Sequence, residues 1–78
     1  MKAEEAIRLI DEGRTLVNYK DGVSIKKDGD NYIIASSYFD LVIILKTVRA
    51  ENDHIWVGDN YAVRLTTSSM IVLPEEEE

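Results

Sequence analysis

Two short segments of this 78-residue chain are apolar at every position, and they restrict what it can fold into. They are Leu41–Leu45 and Met70–Leu73. A strand in a small antiparallel sheet normally alternates between apolar residues facing the core and polar residues facing water. A strand that is apolar on both faces needs cover on both sides, and one short helix covers only part of a second face. Two explanations stay open: burial inside one closed barrel, or pairing of the exposed edge with another copy.

The length of the chain favours stabilisation by a partner. A domain of this size buries only about 60% of its unfolded surface, and one such core rarely supplies more than about 3–5 kcal/mol. Small proteins usually gain further stability from disulfide bonds, metals or association, and this chain has no cysteine. Its hydrophobic content of 45% is ample for a folded domain. We therefore expect a homo-oligomer.

The first twelve residues predict a helix. Ala3, Ala6, Ile7 and Ile10 recur at helical spacing within residues 2–12. Gly13 can take the left-handed conformation that ends a helix.

The remainder of the chain predicts short antiparallel strands. Asp21-Gly22 and Asp28-Gly29 are both strong hairpin dipeptides, and which of them forms the first hairpin stays open. The longest strand candidate is Phe39–Arg49, for which a helix starting at Ser37 is the alternative. Its many β-branched residues favour the strand. Further strands are predicted at 32–35, 55–57, 61–65 and 70–73.

The negative charge is concentrated at the C-terminus. The net charge is −6, from 9 basic and 15 acidic residues, and four of the acids are Glu75–Glu78. We predict a single domain over residues 1–74 and a solvated acidic tail over 75–78. Without the tail the net charge is −2, which neither requires nor excludes a nucleic-acid partner.

The sequence offers few residues for catalysis or for metal binding. His54 is the only histidine, and a single histidine without cysteine is a poor metal site. A calcium loop starting at Asp28 would need a glutamate at its twelfth position, where this chain has Phe39. We predict a protein that is not an enzyme and has no cofactor. Residues 1–5 do not start a signal peptide, and no apolar run is long enough to span a membrane, so we expect a cytoplasmic location.

A few cations and aromatic residues could serve nucleic-acid binding. Lys20, Lys26 and Lys27 lie on one predicted hairpin, Arg64 lies on the polar face of a predicted strand, and Tyr38-Phe39 lies near a predicted loop. Single-stranded nucleic acid needs aromatic platforms, worth about 1–3 kcal/mol per base, and cations that neutralise phosphates. On these residues alone, a solvated charged face above core aromatics is the simpler interpretation.

The order of motifs resembles that of the Sm/LSm family, including its bacterial branch Hfq. Val23-Ser24-Ile25, Asp28-Gly29 and Phe39-Asp40, followed by Val42–Lys46, are similar to the first motif of that family. Val63-Arg64, followed by Ser69–Pro74, is similar to its second motif. The chain departs from the family at Ile43 or Ile44, where an asparagine is usual, and at Leu65, where a glycine is usual.

The resemblance implies an α+β, mainly β, fold in which an N-terminal helix precedes a small, strongly bent five-stranded antiparallel barrel. It implies a homo-oligomeric ring in which Tyr61–Leu65 of one copy pairs with Met70–Leu73 of the next. It also implies binding of single-stranded RNA or DNA. The contacts it implies are Tyr38 and Phe39 for stacking, Asp40 for a base edge, and Arg64 for phosphate or base.

Two other functions stay open from the sequence. The negative charge and small size also suit an acidic protein-binding accessory or inhibitor module without nucleic-acid affinity. A purely structural assembly unit is the third possibility.

Overall fold

The computed structural model describes residues 1–36, 41–58 and 63–73 of the chain. In these residues one N-terminal helix precedes antiparallel strands, so the predicted α+β, mainly β, class is confirmed. The helix α1 spans Ala3–Asp11. The strands are β1 Leu16–Asn18, β2 Val23–Asp28, β3 Asn31–Ser36, β4 Leu41–Leu45, β5 Arg49–Glu51, β6 His54–Val57, β7 Val63–Thr66 and β8 Met70–Val72.

The helix forms where the sequence predicts it. Three of the four residues that recur at helical spacing, Ala3, Ala6 and Ile10, are buried, and the fourth, Ile7, is partly buried against the core. Gly13 has a φ of +102°, and its N–H donates to the carbonyl of Ile10 at 3.0 Å. A residue with a side chain is strained at such a φ, so glycine ends the helix.

The strands lie in two antiparallel sheets. The larger has the order β4-β3-β2-β1-β8, and the smaller has the order β5-β6-β7. The resemblance implies one five-stranded barrel, but the described strands form a five-stranded sheet that is not closed and a separate three-stranded sheet. A barrel is therefore not confirmed.

Both Asp-Gly pairs take part in hairpins, which settles the alternative left open by the sequence. Residues 19–22 connect β1 to β2, and Gly22 has a φ of +71°. Asp28 lies opposite Asn31, so Gly29-Asp30 is a two-residue loop between β2 and β3. Gly29 has a φ of +62°, as the first loop residue of a type II′ hairpin requires.

The predicted strand Phe39–Arg49 is wrong in its extent. Residues 41–45 form a strand rather than a helix, but Arg49 belongs to β5 in the other sheet. The chain leaves the first sheet after Leu45 because the inner residues of β4 and β5 must cover different sides of one core. Phe39 lies outside the described residues.

The core lies between the inner faces of the two sheets and beneath α1, which packs against β2, β5 and β6. Its fully buried large aliphatic residues are Ile10, Leu16, Ile25, Ile55 and Val57. The start of α1 is held against the smaller sheet, because the N–H of Ala3 donates to the carbonyl of Asn52 at 2.8 Å.

The corner between β7 and β8 is more buried than its sequence suggests. Thr66–Ser69 reads as an ordinary polar corner, yet Thr67 is fully buried and Ser69 nearly so. The Thr67 hydroxyl lies 2.8 Å from the carbonyl oxygen of Asp53 and also contacts the carbonyl of Met1. The corner therefore anchors the N-terminus and the β5–β6 turn.

A buried asparagine joins this corner to the larger sheet. The Oδ1 atom of Asn18 accepts the backbone N–H of Lys20 at 2.9 Å and the Ser69 hydroxyl at 3.1 Å. Its Nδ2 atom lies 3.4 Å from the carbonyl oxygen of Thr66. Nearly all buried polar groups in proteins are paired in this way, because an unpaired one costs free energy.

Candidate nucleic-acid interface

Of the four nucleic-acid contacts that the resemblance implies, one is described. Tyr38, Phe39 and Asp40 lie outside the described residues. Arg64 lies in β7, and its side chain is exposed. Arg64 and its neighbours therefore form the candidate site.

Arg64 belongs to a row of three side chains across the smaller sheet. Trp56 lies opposite Arg49 in the β5–β6 pair and opposite Arg64 in the β6–β7 pair. Residues directly opposite each other on neighbouring strands point to the same face of a sheet. The three residues Arg49, Trp56 and Arg64, which we call the Arg-Trp-Arg row, therefore lie side by side.

Both guanidinium groups lie close to the indole ring. The Cζ atom of Arg49 is 5.9 Å from the centroid of the Trp56 ring, and that of Arg64 is 5.7 Å from it. A cation within about 6 Å of an indole centroid is attracted by the ring quadrupole, at about 0.5–1 kcal/mol in exposed positions. The row thus places two cations on either side of one large aromatic surface.

Strand alternation explains why this row faces outward. Ala50, Ile55 and Leu65, each adjacent in sequence to a member of the row, point to the core, and two of them are buried. The turn Asn52-Asp53 fixes the register, since Glu51 lies directly opposite His54. Neighbouring residues along a strand point to opposite faces, so the row points to solvent.

A second row on the same face carries carboxylate and imidazole groups. Glu51, His54 and Thr66 lie opposite one another. The Nη2 atom of Arg49 is 3.9 Å from a carboxylate oxygen of Glu51, and both side chains are more than half exposed. The Nδ1 atom of His54 is 3.0 Å from an oxygen of Asp53. An exposed ion pair such as that of Arg49 with Glu51 is worth only about 0–1 kcal/mol.

The indole N–H of Trp56 has no hydrogen-bond partner among the described residues, although that nitrogen is buried. A buried donor without a partner costs about 1–3 kcal/mol. Trp56 as a whole is only partly buried, so part of its side chain is open to solvent.

The lysines of the first hairpin do not join the row. Lys26 and Lys27 are successive residues of β2 and therefore point to opposite faces of the larger sheet. The Nζ atom of Lys27 lies 3.3 Å from the carboxylate of Asp11 and 4.9 Å from the centroid of the Tyr32 ring. The hydrogen bond to Asp11 raises the pKa of Lys27 above its usual value. Lys27 is thus held by helix α1.

Arg49 and Trp56 are members of the site that the sequence analysis did not single out. A two-residue turn at Asn52-Asp53 places Arg49 opposite Trp56, and the turn itself is predictable from its residues. The position of Arg64 in the row depends on the pairing of β6 with β7, which the sequence pattern does not specify.

No protein-family model matches this chain, and no significant similarity to a curated protein or to a solved structure was found. In the described part of the chain, no three metal-ligating side chains come together as a metal site would need. No helix of that part is long and apolar enough to cross a bilayer.

Proposed function

We propose that this protein binds single-stranded RNA or DNA through the Arg-Trp-Arg row, as a homo-oligomeric Sm-like protein. The observation that carries the proposal is the position of Trp56 between Arg49 and Arg64, with ring distances of 5.9 and 5.7 Å. A base stacked on an exposed aromatic ring gains about 1–3 kcal/mol, whatever the identity of the base.

The spacing of the row suits a single strand. The two arginines lie on strands separated by one strand, so their backbones are about 10 Å apart. A base on Trp56 would then have a cation on each side, within reach of the phosphates that flank it. Arginine is suited to this role because its planar guanidinium group binds phosphate oxygens in pairs.

The assembly part of the proposal is supported by the ends of the two sheets. β7 is the last strand in the order of the smaller sheet, and β8 is the last strand of the larger one. Each therefore has one edge that no described strand pairs. In the proposed ring, the segment Tyr61–Leu65 of one copy pairs with Met70–Leu73 of the next, and a row from each copy contributes to one surface.

Intrinsic fluorescence gives a direct test, because Trp56 is the only tryptophan of the chain. Titration at low salt with 12-nucleotide single-stranded RNA and DNA, rich in uridine, thymidine or adenine, is expected to quench the emission. Stacking of a base on the indole is the physical reason. An unchanged spectrum with any of these strands at tens of micromolar would contradict the proposal.

Anisotropy of a labelled oligonucleotide separates the roles of the row. Trp56→Ala and Arg64→Ala should each weaken binding at least fivefold, by loss of stacking and of a phosphate contact respectively. Arg8→Ala is the matched control, since Arg8 is an exposed arginine of helix α1, away from the row. Equal losses in Arg8→Ala and Arg64→Ala would indicate attraction by net charge rather than a site.

A further inference from the structure

The outer face of the larger sheet is apolar on four of its five strands, and the central strand β2 contributes polar residues to it. The strand registers place Ile71, Val17, Ser24, Ala35 and Val42 opposite one another in one continuous row. A second row on the same face contains Lys26, Ile33 and Ile44. We call these two rows the outer face.

The outer face is exposed although it is apolar. The exposed fractions are 64% for Val42, 62% for Ile44 and 48% for Ile71. Tyr19 and Leu73, also exposed, directly follow β1 and β8 at positions where alternation gives them the same side. Five of the six exposed large hydrophobic residues found in the described part of the chain therefore belong to one side of one sheet.

The core of the protein lies on the opposite side of this sheet. Leu16, Ile25 and Ile34 point inward there and are buried. An antiparallel sheet with one solvated face normally has polar residues on that face. Strands that are apolar on both faces, as β4 is, have the composition of strands covered on both sides. Several exposed apolar residues on one side of one sheet mark an interaction site.

The charges on the outer face indicate which partner fits it. Alternation along β2, the central strand, places Lys26 and Asp28 on the outer face, two residues apart. Both side chains are exposed, and they have opposite charges. In an interface with twofold symmetry, residue i of one copy contacts residue j of the second copy, and residue j of the first copy contacts residue i of the second. The pair Lys26 and Asp28 is self-complementary in this way.

We propose that the outer face is the interface of a homodimer, in which two copies pack their larger sheets face to face. Lys26 of each copy then pairs with Asp28 of the other, and Val42, Ile44 and Ile71 become buried. Sheets that pack face to face lie about 10 Å apart with their strands about 30° from parallel. The absence of cysteine makes association the available means of further stabilisation for so short a chain.

The size of the outer face determines how strongly two copies are expected to associate. Four strand spacings make it about 19 Å wide. For so narrow a face we expect dissociation in the micromolar range. The outer face belongs to the larger sheet and the Arg-Trp-Arg row to the smaller one, so the dimer does not depend on the proposed nucleic-acid function. The proposed ring would form by backbone hydrogen bonds between strand edges, whereas this dimer forms by packing of the side chains on the outer face.

Sedimentation equilibrium from 1 to 200 µM tests the interface. Val42→Glu and Ile44→Glu should each halve the mass of the assembly at high concentration, because the larger sheets of two copies can then no longer pack face to face. The halving is expected for any number of chains that associate through their strand edges. Thr47→Glu is the matched control, because Thr47 is exposed but lies after β4, outside the two rows. Circular dichroism and urea unfolding of each variant show whether the monomer is still folded.

Charge exchange tests the pairing of Lys26 with Asp28. Lys26→Asp and Asp28→Lys should each weaken association about tenfold, because like charges then meet across the axis. The double variant, in which the two charges are exchanged, should restore association to within about threefold of the original. A variant that only destabilises the folded monomer would have a lower urea midpoint below 1 µM, and its mass in sedimentation equilibrium would be unchanged.

The proposal is wrong if the unmodified protein has the mass of one chain throughout this range, or if Ile44→Glu leaves the mass unchanged. The oligonucleotide titration is read separately, since Ile44→Glu retains the complete Arg-Trp-Arg row. Loss of association with retained nucleic-acid binding, or the reverse, therefore tells the two proposals apart.

Discussion

The hydroxyl of Tyr32 donates a hydrogen bond of 2.7 Å to the carboxylate of Asp11, and this contact ties strand β3 to the C-terminal end of helix α1. The same carboxylate oxygen accepts a hydrogen bond from the Nζ atom of Lys27 at 3.3 Å. The cluster joins α1, β2 and β3 at one edge of the core. Because the pKa values of Tyr32 and Lys27 are both raised in this cluster, its contribution to stability depends on pH.

The first prediction concerns alkaline pH. The hydrogen bond to Asp11 raises the pKa of Tyr32, and Lys27 is raised for the same reason. A group whose pKa is higher in the folded state stabilises it below the unfolded pKa, here about 10 for tyrosine and 10.4 for lysine, and this stabilisation is lost as pH rises through the folded value. We expect urea midpoints to fall as the pH rises above about 10.

Tyr32→Phe isolates the tyrosine contribution to this fall. The variant should be less stable by about 1 kcal/mol at pH 7, because one hydrogen bond is lost. Its midpoint should then fall less steeply with pH than that of the unmodified protein, since one titrating group is removed. If the urea midpoints of the two proteins fall equally steeply with pH, Tyr32 does not contribute to the fall.

The second prediction concerns the buried corner. Thr67→Val keeps the shape of the side chain but removes the hydroxyl that contacts the carbonyls of Asp53 and Met1. We expect the free energy of unfolding to fall by about 1 kcal/mol in urea, because the hydroxyl hydrogen bonds of the buried Thr67 are lost. Thr66→Val is the control: among the described residues the Thr66 hydroxyl has only a 3.5 Å exposed contact to Ser68, and its loss should cost less than about 0.5 kcal/mol.

The third prediction concerns the hairpin between β2 and β3. Gly29 has a φ of +62°, and a Cβ atom added there would meet no other atom within 4 Å. The cost of Gly29→Ala is therefore conformational, about 1–2 kcal/mol in thermal or urea unfolding. Gly29→Asn should cost less, because asparagine adopts positive φ more readily than alanine. Equal losses for the two variants would mean that the turn changes type.

The fourth prediction concerns salt. Two phosphate contacts to a single strand give a slope of about −1.4 in a plot of log K against log salt concentration. The double variant Arg49→Ala/Arg64→Ala lacks both arginines of the row. The part of the slope that these two arginines contribute should therefore fall close to zero. A slope that is unchanged in the double variant, measured by oligonucleotide anisotropy between about 50 and 200 mM salt, would place the phosphate contacts elsewhere.

Local features of the fold were predictable because they depend on neighbouring residues. Helix α1 follows from the spacing of Ala3, Ala6 and Ile10, and its end follows from Gly13. Both Asp-Gly hairpins follow from the ease with which glycine adopts positive φ. The long strand Phe39–Arg49 failed as a prediction because its residues favour strand throughout, and the break after Leu45 is imposed by the packing of two sheets.

The candidate site was predictable only in part. Arg64 was expected to face solvent, and it does. Its neighbours Trp56 and Arg49 come from two other strands, and their alignment depends on two strand registers. A register error of one residue would place Trp56 in the core, so the row could not be read from alternation alone.

The sequence by itself determined the helix, the turns and the apolar character of Leu41–Leu45 and Met70–Leu73, since these depend on residues that are adjacent in the chain. Tertiary structure decided which strands pair, and therefore which residues meet. Asn18 and Ser69, 51 residues apart, are hydrogen-bonded only because β8 pairs with β1. The same pairing completes the outer face. Such contacts depend on competition among distant strands for one core, which the preferences of individual residues do not encode.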